Sequence, residues 1–506
     1  MKGGAVMRRA AFWVVFVLTF SCLGAFPALQ EEENPQKLRA LFISCDEFVS
    51  QSPTSPAAEN NVRMLEDAFA RDKRGYASVS TACGTVATVE ALRQHVASAF
   101  SGADENDISL FYISTHGVPG DLARAESAAL LLSDGAVEEK LFPQTLRDMM
   151  DAVPGVKLLI LDACNAGAFI GKGMADPASP SYFTGSSYKV LCSAGGGEKS
   201  WYWKSEDDGD PNIKYGASYF ATVLADALAR GGAADENADG SVSLYEIDRY
   251  LHTHYAVSTP QTYPEADRDF VFFRPGSAEE TEGPLVTDLT LDSDVMLPGE
   301  DLTFTYTLHR SARVYYQLIY QRRGRWDFNN AQMFSDSELT DGDTSPGRRS
   351  RTLSLGDSRS DTAGYVILVI LTKENDRPVL HESRLLCVQP ASSVVKLSLR
   401  TADAFCPALG EELNVWVGHN VPCSLRVTVR DAAGSVVRRL AWDLPSRPQG
   451  VGGSTFCWDG RKNNGEMAGA GNYILAVQTE TGGRGSHTLA RTVTLTAPED
   501  GAAAAP

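Results

Sequence analysis

An imidazole and a thiol, each just past the end of an apolar strand, are the residues of this 506-residue chain best placed for covalent chemistry. The stretch 108–113 is Ile-Ser-Leu-Phe-Tyr-Ile and stops at Ser114-Thr115-His116-Gly117. The stretch 156–161 is Val-Lys-Leu-Leu-Ile-Leu and stops at Asp162-Ala163-Cys164-Asn165-Ala166-Gly167. A thiolate attacks a carbonyl carbon, and a nearby imidazole takes its proton or steadies it as an ion pair. Gly117 lets backbone approach a substrate closely. The amides of Gly117 and Cys164 are candidate oxyanion donors. Taken singly, each residue reads as a satisfied loop histidine or a buried thiol; their joint occurrence carries the reading.

These side chains need a scaffold. Runs apolar throughout suit parallel strands buried on both faces, and ligands bind at the carboxyl ends of such strands. The 48 residues from His116 to Cys164 (164 − 116) suit one crossover with a hairpin inserted. Around them strand and helix alternate. Strands are expected at 38–43, 76–80 and 188–192. Helices are expected at 61–69, from Thr88 through Val96, from Pro143 through Val153, and at 217–228. Ser133-Asp134-Gly135 signals the hairpin turn. Such alternation means a mostly parallel sheet with helices on both faces, here an α/β domain over 36–275.

The pattern changes at an acidic linker, 276–284. Beyond it, strands such as 302–308 and 314–320 alternate apolar and polar residues, as antiparallel sandwiches do. Two all-β sandwiches are expected, over 285–390 and 392–497, with a disordered tail at 498–506.

Net charge −18 and pI about 5.0 argue against nucleic acid or an anionic membrane as partner. Lys2, Arg8 and Arg9 precede an apolar run at 10–23, which reads as a signal peptide over 1–28, with an uncleaved anchor as the alternative. The chain is therefore expected to be secreted or at the cell surface, with no membrane span beyond the leader. Of nine cysteines, Cys45 and Cys83 follow consecutive strands and are the expected bridge, with buried single thiols as the alternative.

The segments 38–43, Ser114-Thr115-His116-Gly117 and Asp162-Ala163-Cys164-Asn165-Ala166-Gly167 resemble the caspase-like cysteine peptidases, closest to the metacaspase and clostripain branches. The resemblance covers about 38–273. It implies peptide-bond hydrolysis through a thioester, with Cys164 as nucleophile and His116 as general base and acid. True caspases carry Gln-Ala-Cys where Asp162-Ala163-Cys164 stands here, so cleavage after Asp is not expected. In the metacaspase-like branches a carboxylate at that place and another after the first strand line an acidic S1 pocket. Asp162 and Asp46 match those places, which implies cutting after Arg or Lys. The region from Phe456 to Val477 resembles the Ig-like fold of the flagellar hook-capping protein family and implies a sandwich, without chemistry.

Asp235, Asn237, Asp239, Ser241, Ser243 and Glu246, with Gly240 at position six, follow the pattern of an EF-hand calcium loop. An acidic turn capping the next helix is the plain alternative. Many bacterial caspase-like domains carry a similar segment, which implies structural calcium. Lys172, in a Gly/Ser/Pro-rich stretch past the nucleophile, is a candidate self-cleavage point. Trp201 and Trp203 are candidate cleft walls, and His252 and His254 read as solvated. The whole reads as a secreted cysteine endopeptidase acting on proteins or peptides, its sandwiches available to a cell-surface partner. The rival is a non-enzymatic surface adhesin with an inactive caspase-like fold.

Overall fold

In the computed structural model, the chain's apolar runs become a six-stranded sheet whose two faces are both covered. The structure describes residues 36–54, 57–120, 127–174, 179–203, 216–229, 234–276, 285–293, 295–296, 300–322, 325–326, 332–335, 344–354, 364–374, 377–388, 396–421, 423–446, 454–481 and 485–498. The leader, most of the linker and most of the tail lie outside the described residues. Residues 36–506 form one compact unit.

The first part runs β1 (Leu38–Ser44), α1 (Ala57–Phe69), β2 (Tyr76–Cys83), α2 (Val89–Ala99) and β3 (Ile108–Ser114). A small sheet follows, of β4 (Gly117–Val118), β5 (Ala129–Ser133) and β6 (Glu138–Leu141), then α3 (Pro143–Asp151) and β7 (Val156–Asp162). After a 3-10 turn (Ala166–Ile170) come β8 (Tyr188–Cys192), β9 (Tyr202–Trp203), β10 (Ala217–Ser218) and α4 (Tyr219–Ala229). The last elements are β11 (Val242–Ser243), α5 (Leu244–His254), β12 (Gln261–Tyr263) and β13 (Val271–Phe273).

The large sheet has the order β12-β8-β7-β3-β1-β2, with β12 alone antiparallel. Alternate residues serve opposite faces, as strand geometry requires. Phe42, Leu110 and Ile160 pack with Val62 and Leu65 of α1 and Leu224 of α4. Ile43, Phe111 and Leu161 pack with Leu92 of α2 and Leu146 of α3. Strand order reverses at β1, and the β3 and β7 ends open onto the rim beside that switch point.

The two β-sandwiches follow. In the first, the sheet of Val286–Leu291, Asp301–Leu308 and Gly347–Ser354 closes over the one holding Val314–Arg322, Gly364–Glu374 and Arg377–Val388. In the second, strands Leu397–Thr401, Leu413–His419 and Ser454–Trp458 face Cys423–Arg430, Gly471–Thr481 and Gly485–Leu495 around the buried Trp458. Both dock on the α/β domain. Ile319, Ile367 and Val369 of the first join its core. Trp442 of the second accepts hydrogen bonds from Tyr245 (3.1 Å) and Arg249 (2.9 Å).

Several sequence expectations change here. Cys45 and Cys83 are both free thiols, not a bridge. His252 and His254 are not solvated: the His254 ring lies 2.8 Å from Glu382 of the first sandwich, and the His252 side chain is 6% exposed beside Asp248. Lys172 is buried at 2% exposure, ion-paired with Glu265 and bonded to the Thr262 carbonyl. Its amide donates to Gly167 and its carbonyl accepts from Gly196, both at 2.8 Å. A peptidase has no access to that bond, so Lys172 is a structural residue here. A polar-rich stretch looked exposed because its glycines, which let backbone nest against backbone, gave no apolar signal.

Candidate active site

β3 and β7 pair in register with Ser114 opposite Asp162, so His116 and Cys164 each stand two residues past matched strand ends. The Thr115 amide extends the ladder to the Asp162 carbonyl at 3.2 Å. One step on, the two loops touch. A side chain at Gly117 would put its Cβ 1.6 Å from the Cys164 carbonyl oxygen. No Cβ fits there without moving the cysteine peptide, so glycine is required for the close approach of these two loops. His116, Asp162 and Cys164 line one pocket of about 70 Å³ together with Asn61, Ser200 and Trp201.

The imidazole is held from behind. His116 Nε2 lies 2.9 Å from the Ser52 carbonyl oxygen, and the ring meets Phe48 at 4.5 Å between centroids. A carbonyl only accepts, so Nε2 carries the hydrogen, and Nδ1 of the neutral ring is left as the acceptor.

Cys164 sits differently from expectation. Its Sγ is 3.5 Å from the Ser200 carbonyl. Burial pushes the thiol above its ordinary range; the Ser200 bond and Lys199 oppose this, and the Asp162 charge adds to it. A depressed thiol pKa, which would speed alkylation at mildly acidic pH, is therefore not what this site provides. The raised pKa makes the resting group a thiol.

Among the described residues, Asp162, 3% exposed, accepts hydrogen bonds from neutral donors. Its Oδ2 accepts from Ser218 Oγ at 2.5 Å, Tyr112 Oη at 3.2 Å and Asn61 Nδ2 at 3.4 Å; its Oδ1 accepts from Ser200 Oγ at 3.4 Å. Burial raises its pKa, and hydrogen bonds led by Ser218 oppose the rise. Such a carboxylate gains most from a cationic guest. Sequence reasoning missed Asn61, Tyr112, Ser200 and Ser218. The signals were weak ones: a hydroxyl within an apolar strand and a serine opening α4, where Ser218 Oγ also accepts from Ala221 at 2.9 Å. Trp201 joins the pocket lining, and the side chain of Trp203 lies outside the described ones.

Asp46 is not among the pocket-lining residues. Its Oδ1 accepts from the Ala58 and Glu59 amides at 2.9 and 3.3 Å, at the start of α1, and from Thr54 Oγ1 at 3.2 Å. It closes the loop 46–54 and caps a helix.

In the Asp235 loop, Ala238 has φ 56° and Gly240 φ 81°. Asp235 accepts from the Asp239 and Gly240 amides at 3.2 and 2.9 Å, and Asp239 from Ser241 at 2.9 Å. Glu246 forms a capping box with Ser243, its Oε2 accepting from that residue's amide at 2.8 Å, while Oε1 faces the Asn237 amide at 3.4 Å. Among the described residues no group of three His, Cys, Asp or Glu side chains is gathered to hold a metal. The all-oxygen donor set suits a hard cation, but in this conformation Glu246 is turned to its own helix.

Two parts of the chain match family models. Residues 37–271 match the model of the caspase domain, and residues 421–483 that of the FlgD Ig-like domain. Among solved structures, dimeric latent PorU from Porphyromonas gingivalis is similar at 14% identity over 44% of this chain and 22% of that one, with a TM-score of 0.18. Caspase-1 from Spodoptera frugiperda is similar at 14% identity over 45% of this chain and 86% of that one, TM-score 0.30. The Geobacter sulfurreducens protein GSU0716 shares 16% identity over 48% of this chain and 99% of that one, TM-score 0.31. No curated protein matches the chain.

Proposed function

We propose that residues 37–271, which match the model of the caspase domain, work as a cysteine endopeptidase cutting after Arg or Lys. Cys164 Sγ attacks the scissile carbonyl while His116 Nδ1 takes the thiol proton. The oxyanion sits against the Gly117 and Cys164 amides. On collapse the C–N bond breaks, the amine leaves with the proton from His116, and the acyl group stays on sulfur. Water then attacks the thioester as Nδ1 takes its proton, which returns to the departing thiolate. Asp162 holds the P1 cation. The observation that carries this reading is the common pocket of His116, Cys164 and Asp162. The caspase match does not favour the adhesin alternative.

A P1 scan with peptide substrates tests it. Efficient hydrolysis after Arg and Lys is the expected result; efficient cutting after Asp or Asn instead would overturn the specificity.

The leader is proposed to export the chain, and the sandwiches to offer a surface to a cell-surface partner. The Asp235 loop is proposed to take calcium once Glu246 leaves its capping position, with a structural role only. Added calcium should then raise the melting temperature, by about 2.7 kcal/mol of stability at a hundred times Kd. A chelator should remove that gain; an unchanged Tm in both would count against the site.

A further inference from the structure

Beyond the pocket, one carboxylate closes a ring of contacts around the imidazole. His116 leads directly into β4, whose Gly117 pairs with Leu130 of β5, and the Leu131 amide donates to the His116 carbonyl at 2.9 Å. β5 pairs with β6, where Glu138 stands opposite Ser133. Glu138 then reaches the loop 46–54: its Oε2 accepts from the Val49 and Ser50 amides, both at 3.0 Å, and its Oε1 from the Ser50 hydroxyl. Two residues on, the Ser52 carbonyl meets His116 Nε2, and Phe48 of the same loop covers the ring. The loop's far end is tied by Asp46, whose carbonyl accepts from the Thr54 amide at 2.9 Å. The hairpin turn presses on this loop as well, since a Cβ at Gly135 would lie 2.9 Å from that of Glu47.

We propose that Glu138 is a positioning residue for His116: it clamps the loop 46–54 so that the Ser52 carbonyl fixes the Nε2–H tautomer. The inference rests on the peptidase reading for its kinetic consequence, not for its geometry. Desolvation acts against ionisation of Glu138, yet the Ser50 and Val49 bonds and the His116 charge hold its carboxyl below the usual range. Other charged groups around this ring are Glu47 on the loop, and Glu139 and Lys140 on β6. Glu139 is turned to the Val89 amide at 2.7 Å. Cys164 and Asp162 lie on the pocket side.

The test compares Glu138→Ala with Glu138→Gln in the full chain. Alanine removes both clamp and charge, and kcat should fall about 10–100-fold with KM within about twofold. Glutamine keeps an acceptor oxygen, so kcat should stay within about threefold. Imidazole ¹⁵N spectra should show the Nε2–H tautomer in wild type and Glu138→Gln, and a tautomer mixture in Glu138→Ala. Wild-type kcat and tautomer in the alanine variant would overturn the proposal. So would equal losses in both variants with unchanged spectra, which would leave Glu138 a support of the fold alone. If wild type cleaves no peptide, the peptidase reading fails, and the spectra still decide the role of Glu138.

Discussion

Cys164→Ala is expected to lose about 10⁴–10⁶-fold in kcat, the range seen when a nucleophile is removed from a catalytic unit. His116→Ala should lose nearly as much, and the double variant little more, because both side chains serve one step. Turnover of an Arg- or Lys-P1 peptide measures this. The raised thiol pKa sharpens the expectation for histidine. Burial is its main cause, so the thiolate is scarce near neutral pH when no base accompanies attack. Residual activity of His116→Ala should therefore climb as pH passes the ordinary cysteine value of 9.0, whereas the wild type should already be active well below it. A flat profile in the variant would mean that thiol ionisation does not limit it.

Asp162→Asn is expected to weaken kcat/KM for Arg and Lys at P1 by about a hundredfold, since an unpaired buried cation costs about 3 kcal/mol or more. Uncharged P1 residues should be affected far less. Stability should move the other way. The folded-state pKa of Asp162 is raised, so the folded protein favours the protonated acid more than the unfolded chain does. Its stabilising contribution is complete below the ordinary carboxyl pKa near 3.8 and is lost as pH rises through the higher folded value. At neutral pH the wild type bears that penalty and asparagine does not, so the variant should melt no lower than wild type. Thermal melts at pH 4 and pH 7 check the sign; a large destabilisation confined to neutral pH would contradict it.

Much of the scaffold was legible because its signals are local. The strands at 108–113 and 156–161 are apolar at every step but two, which only a sheet covered on both faces accommodates. Thr88 caps α2 through the Ala91 amide at 3.1 Å, and Pro143 opens α3, as their types indicate. What was not legible depends on residues far apart in sequence. α1 begins at Ala57, not at Asn61, because its first amides find Asp46 eleven residues upstream of that start. That same bond turns the Asp46 carboxylate to the start of the helix. Lys172 is buried by Glu265, and His254 is engaged by Glu382, partners beyond any local window. The Cys164 environment is set by the 198–201 loop closing over it, with Ser200 and Lys199 contributing. Spacing revealed the pair of reactive groups, but only packing fixed the protonation state of the thiol.

Covalent trapping asks the central question most directly. The full chain is incubated at neutral pH with a lysyl or arginyl chloromethyl ketone, or with an aspartyl one, and the labelled peptide is found by mass spectrometry. The account predicts rapid labelling of Cys164 by the basic reagents, slow labelling in His116→Ala and Asp162→Asn, and little by the acidic one. Labelling spread over other cysteines, or equally fast in the absence of His116, would contradict a shared pocket in which imidazole, thiol and buried carboxylate act together.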